Sequence, residues 1–61
     1  MESNSNRQAT HYEVRDQRWE TVLTLDGFEC VYEDMGEAQD AAVLTAGRVV
    51  AVLSDGTEVY L

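Results

Sequence analysis

Lysine, isoleucine and proline do not occur in this 61-residue chain, and cysteine occurs once. Each scarcity excludes something. A single Cys30 cannot close an internal disulfide, so the staple of small secreted scaffolds is ruled out and a reducing, cytoplasmic setting is expected. No apolar run approaches the ~20 residues needed to cross a bilayer, and the start of the chain lacks the basic region and apolar stretch of a signal peptide. Missing Lys, Ile and Pro beside abundant Ala, Val and Gly fit the coding bias of a GC-rich genome. Positive charge is scarcest of all: four Arg stand against 12 Asp plus Glu, for a net charge of -8. Such a chain repels phosphate backbones and attracts cationic surfaces, so direct binding to DNA or RNA is excluded and a basic protein partner is favoured.

Sixty-one residues allow one domain, and a chain of this size buries only roughly 60% of its unfolded surface. A deep catalytic cavity is not expected. The Ser-, Asn- and Gln-rich stretch Met1 to Thr10 has too little apolar content to offset its ordering entropy and is read as a flexible tail, with one domain over residues 11–61. Tyr12 and Val14 alternate with His11, Glu13 and Arg15 in the period of two that marks a strand. A tight turn at Asp16-Gln17 leads to a second strand, Arg18 to Leu25, which places Trp19 opposite Val14 and Tyr12 opposite Thr21. Asp26-Gly27 is a strong type I′ hairpin signal. It sets Leu25 against Phe28, Leu23 against Cys30 and Thr21 against Tyr32.

Asp34 followed three residues later by Glu37 is an acidic capping box, and predicts a helix from Met35 to Ala46. Gly47 offers a left-handed C-cap and Arg48 a cation for the helix end. Met35, Ala38, Ala41, Ala42 and Thr45 share the inner face, where small side chains let the helix lie close to a sheet. A last hairpin, Val49–Leu53 and Thr57–Leu61, turns at Asp55-Gly56. The expected fold is α+β: an antiparallel sheet with one helix packed on one face, in the order β-β-β-α-β-β.

In that register Glu13 lies opposite Glu20 and Glu20 opposite Glu33, with Glu29 further along, which makes a row of carboxylates on the open sheet face. Strands ~4.8 Å apart, with same-face residues ~6.5 to 7 Å apart along each, would set such groups in a lattice near the spacing of successive phosphates. Asp26, Glu29, Glu33, Asp34, Glu37 and Asp40 also form an uncompensated acidic run without a single Lys or Arg. Candidate partner-binding residues are therefore Glu13, Glu20, Asp26, Glu29, Glu33, Asp34, Glu37 and Asp40. The plain alternative is a solvated acidic face. A second candidate surface is the apolar set Val49, Ala51, Leu53 and Tyr60, which this register leaves on the far side of the sheet, where a second copy of the chain could pack.

Nothing points to chemistry. The register sends Cys30 into the core and His11 outward, which separates a nucleophile from its base. No loop carries the D-x-[DN]-x-[DN]-G pattern of a calcium site, and every glycine except Gly36 serves a turn or cap rather than a phosphate loop, so no metal or cofactor is expected. The chain is read as a non-enzyme. In size, charge and the cluster Glu13, Glu20, Glu29, Glu33, Asp34, Glu37 and Asp40, it resembles the small phage-encoded inhibitors of bacterial defence, among them anti-CRISPR proteins and DNA mimics. That resemblance implies a non-enzymatic inhibitor, acting in the host cytoplasm, that occupies the DNA-binding channel of a nuclease or surveillance complex. Arg15, Arg18 and Arg48 depart from a purely acidic mimic. The alternative from another class is a small housekeeping or oligomerisation domain of a salt-adapted organism, where dense carboxylates keep the surface hydrated when the Debye length shortens to ~3 Å at 1 M salt.

Overall fold

The computed structural model describes residues 8–61. Its elements are β1 (Ala9–Arg15), β2 (Thr24–Leu25), β3 (Phe28–Glu29), β4 (Val31–Tyr32), α1 (Met35–Thr45), β5 (Arg48–Leu53) and β6 (Glu58–Tyr60). The class is α+β. Four strands form an antiparallel sheet in the order β4-β1-β5-β6, and β2 with β3 makes a separate two-stranded ribbon. Among the described residues no helix is long and apolar enough to cross a membrane.

The helix forms as its sequence dictates. Asp34 is extended (φ -107°, ψ 129°) and its side chain accepts the Glu37 N–H at 3.0 Å, satisfying one of the donors a helix start leaves open. Ala38 and Ala41 are buried, with Ala42 half-buried, so the helix axis approaches the sheet closely. The far end differs from expectation. Ala46, not Gly47, takes the left-handed conformation (φ 58°), and the Gly47 N–H returns to the Ala42 carbonyl at 2.8 Å. Gly47 is glycine for a different reason: a Cβ there would lie 2.7 Å from the Arg15 carbonyl oxygen, Leu23 Cδ1 and Val14 Cγ1. Close packing, rather than backbone sign, requires it.

The first hairpin departs further. Arg18 to Leu23 is a compact loop and not a strand. Asp16 explains this locally, because its carboxylate accepts the N–H groups of Arg18 and Glu20, both at 3.0 Å, and so competes with extension. Its own N–H closes the loop on the Thr21 carbonyl at 2.9 Å. Trp19 sits inside this loop with φ 65° and does not oppose Val14. Instead Val14 pairs with Val49, and Tyr12 pairs with Ala51 on one side and Tyr32 on the other. β1 therefore becomes a central strand.

Asp26 (φ 57°) and Gly27 (φ 86°) make the expected I′-type turn, with Leu25 opposite Phe28. The ladder then changes partner at Cys30. Its N–H donates to the Leu23 carbonyl and its carbonyl accepts from Val14, while the Leu23 N–H reaches the Val14 carbonyl, all at 2.9 Å. Three backbones close one ring there. Beyond it, Tyr32 pairs with Tyr12 rather than Thr21, so the expected third strand is split into β3 and β4.

The final hairpin also shifts. Ser54, Asp55 and Gly56 form a three-residue connection, with Gly56 at φ 87° and the Leu53 N–H on the Thr57 carbonyl at 2.8 Å. Ala51 consequently faces Val59 and Val50 faces Tyr60, one residue away from the two-residue register. The slip puts Val59 on the face of Ala51, and the pairing of β5 with β1, Val49 opposite Val14, turns that face to the helix, so Val49 and Ala51 are buried there. The main cluster there is Val14, Cys30, Ala38, Ala41 and Val49, bordered by Tyr12, Leu23, Leu25, Tyr32 and Ala42. At the other end, Ala9 and Thr10 belong to β1 rather than to a tail, and Thr10 Oγ1 donates to the Val52 carbonyl at 3.1 Å. The remainder of the expected tail, residues 1–7, lies outside the described residues.

Candidate functional site

On the sheet face opposite the helix, β1 contributes His11, Glu13 and Arg15, β5 contributes Arg48, Val50 and Val52, and β6 contributes Glu58 and Tyr60. Val50 stands between Glu13 and Tyr60 and is fully buried. Arg15 crosses this strand. Its Nη2 lies 2.7 Å from Glu13 Oε1 and 2.6 Å from Glu58 Oε2, and Nη1 donates to the Trp19 carbonyl at 3.2 Å. These bonds to Glu58 and Glu13 hold the guanidinium firmly protonated, and the same contact depresses the Glu58 carboxyl below its ordinary range.

The Trp19 loop lies against this face. The indole packs on Tyr60 with ring centroids 4.7 Å apart, and the Arg48 guanidinium carbon lies 5.1 Å from the Trp19 ring. Gln17 joins Arg48 to the helix end, accepting from Arg48 Nε at 3.0 Å and donating to the Ala46 carbonyl. Arg48 thus reaches the helix terminus through Gln17. The Asp16 carboxyl is held below its usual range chiefly by the Glu20 N–H, with Arg18 adding a second backbone donor. This face is a small second core whose cations are occupied.

The expected carboxylate row is not formed. Glu13 opposes Val31 and Val50, and its carboxylate is taken by Arg15, with His11 Nε2 at 3.4 Å. Glu20 lies in the Trp19 loop, and Glu33 follows β4, so neither stands beside Glu13. The row needed a strand over Arg18 to Leu25. The Asp16 turn removes it.

The acidic run itself is exposed throughout. Asp26 is at the tip of the β2–β3 ribbon, Glu29 on β3, Glu33 and Asp34 between β4 and α1, Glu37 in the first helical turn, and Asp40 on the outer helix surface. None of the six is in an ion pair among the described residues. Asp34 caps the helix with its side chain and Asp26 holds the left-handed first position of its turn. β2 packs against α1, so the ribbon and the helix belong to one side of the molecule. Tyr32 reports the same proximity: its hydroxyl is pushed up first by a hydrogen bond to the Cys30 thiol and by burial, and then by the negative charges around it, including Glu37 and Asp26. Carboxylates from ribbon and helix therefore act on one phenol.

Of the expected apolar set, Val49 and Ala51 are buried beneath the helix, Leu53 is half-buried, and Tyr60 is on the opposite face against Trp19. They do not form one patch. His11 and Cys30 fall on opposite sides of the sheet, the histidine beside Glu13 and the thiol in the core. Sequence reasoning missed Glu58, Gln17 and the folding role of Asp16. An Asp followed by polar residues signals such a turn; no local signal pairs Arg15 with a glutamate 43 residues away. Comparison of the chain with family models, with curated proteins and with solved structures found no match.

Proposed function

We propose that this chain is an acidic, non-enzymatic inhibitor that binds a nucleic-acid-binding protein or nuclease complex, of the anti-CRISPR or anti-defence kind, by presenting DNA-like charge. One observation carries the reading. The carboxylates of Asp26, Glu29, Glu33, Asp34, Glu37 and Asp40 are exposed on the ribbon, the β4–α1 junction and the helix, without a cation among them. Two of the arginines, Arg15 and Arg48, are engaged on the other sheet face. Separation of charge in this way leaves one side of the molecule negative, which steers association with a basic groove and resists nucleic acid itself. Glu13 drops out of the binding set because its carboxylate is engaged by Arg15 on the other sheet face, and Glu20 becomes peripheral. The setting proposed is the cytoplasm, where a nuclease complex would meet it.

Competition tests the reading. A partner retained on the immobilised protein should be released by added duplex DNA, and the protein should in turn strip that partner from DNA. Retention indifferent to saturating duplex would place the binding surface away from the partner's nucleic-acid groove, and the inhibitor reading would fail.

A further inference from the structure

From the hydrogen-bonding register of the last strand, we infer that the open edge of β6 pairs with β6 of a second copy of this chain, antiparallel about a twofold axis at Val59. The Leu53 N–H to Thr57 carbonyl bond and the Leu61 N–H to Val49 carbonyl bond fix which groups of the strand turn inward. Thr57, Val59 and Leu61 direct their backbone polar groups to β5, so Glu58 and Tyr60 direct theirs away from the sheet. Those outward groups have no backbone partner among the described residues. Beside the paired Glu58, the side chains at this edge are largely apolar and open, with Val59 39%, Tyr60 55% and Leu61 51% exposed. An open edge of this kind is a template for another strand.

Symmetry chooses the occupant. When two β6 strands run antiparallel with Val59 facing Val59, Glu58 of one copy faces Tyr60 of the other. Both residues then exchange N–H and carbonyl across the axis, and every outward group finds a partner. Valine meets valine on the helix side. The Tyr60 hydroxyl, which donates to Glu58 Oε1 within its own chain at 3.3 Å, meets the same carboxylate type across the pair.

Electrostatics agrees. The one carboxylate on β6, Glu58, is bound by Arg15 at 2.6 Å, and the acids of the Asp26–Asp40 run lie on β2–β3, on α1 and on the flanks of β4, the strand at the other edge of the sheet. Two chains of charge -8 keep the acids of that run out of the contact when they approach through β6. Val43 and Leu44 on α1 are more exposed, at 81% and 72%, yet they sit on the same helix as Glu37 and Asp40, where like charge opposes self-association. A three-residue edge buries little area, so the dimer belongs among weak, transient associations. This inference does not rest on the proposed inhibitor function. The two respond oppositely to salt, since screening weakens capture of a cationic partner and strengthens pairing of two anions.

Sedimentation equilibrium of the full chain from about 20 μM to about 2 mM, at about 0.05 M and about 0.5 M NaCl, provides the test. The mean mass should climb toward twice that of the monomer, with the midpoint at several-fold lower concentration in the higher salt. Amide shifts that change with concentration should be confined to residues 57–61, and Val59→Lys should hold the mass at the monomer value without altering the fold. A monomer mass throughout overturns the inference. So do concentration-dependent shifts centred on Val43 and Leu44, or a dimer that survives Val59→Lys with an unchanged spectrum elsewhere. The amide map of the unmodified protein decides the matter even if the lysine variant unfolds.

Discussion

The Arg15 guanidinium on β1 lies 2.6 Å from the Glu58 carboxylate on β6, although β5 runs between the two strands. One residue thus ties β1, β6 and the Trp19 loop together across β5. Because Arg15 lowers the Glu58 pKa, the contact adds stability that is present above the unfolded value near 4.5 and is lost as pH falls through the folded value. Asp16, lowered by backbone donors, works in the same direction. Thermal melts should therefore drop steadily as pH falls below about 4.5. Glu58→Gln should flatten that acid limb. An unchanged slope in the glutamine variant would mean that the ion pair is not maintained in solution.

Gly47 tests the packing of the helix exit. Adding a methyl group there places it 2.7 Å from a backbone oxygen and two core side chains, so Gly47→Ala should destabilise the domain by about 1–3 kcal/mol. Ala46→Gly should do the reverse and raise stability by up to about 1 kcal/mol, since Ala46 holds a left-handed conformation that glycine adopts without strain. Denaturant unfolding of the pair, read at constant slope, checks both signs. Equal destabilisation by the two changes would relocate the left-handed residue.

Cys30 is fully buried at the junction of the two sheets. Its thiol should resist alkylation in the folded protein and react only through opening, at a rate set by the unfolding equilibrium. Mass spectrometry after timed alkylation, with and without denaturant, measures this. Rapid labelling of the native protein would show that the ring joining Val14, Leu23 and Cys30 is open.

Trp19 is held by Tyr60 and Arg48 rather than by the main core. Trp19→Ala should cost roughly 1–3 kcal/mol, the scale of lost aromatic and cation–π contacts, and leave a cooperative melt. A loss beyond about 4 kcal/mol would be that of a tryptophan in the main core.

Locally determined features were legible in the sequence. Asp34 with Glu37 marked the helix start, Asp26-Gly27 marked its turn, and the alanines at 38, 41 and 42 marked the buried helix face; each depends on residues within one turn of chain. What stayed hidden depends on competition or on distance. Asp16 can end a two-residue turn or cap a wider loop, and the wider loop won because Trp19 gains a partner in Tyr60, far along the chain. The Asp55-Gly56 signal fits both a two- and a three-residue connection, and that single residue decides whether Val59 shares a face with Ala51 or with Val52. The acidic run survived these shifts because loops, caps and turn tips are exposed in any register. The carboxylate row did not, since it needed one register.

The most direct measurement of the proposed function is the affinity of a captured partner for the parent and for a variant carrying Asp26→Asn, Glu29→Gln, Glu33→Gln, Glu37→Gln and Asp40→Asn, titrated across salt. Asp34 is left intact to keep the helix cap. The parent should bind most tightly at low salt and weaken as salt rises, and the variant should bind at least about tenfold more weakly, with a flatter salt dependence and an unchanged fold. Equal affinity of parent and variant at low salt would show that the exposed carboxylates from Asp26 to Asp40 keep the protein hydrated and take no part in binding.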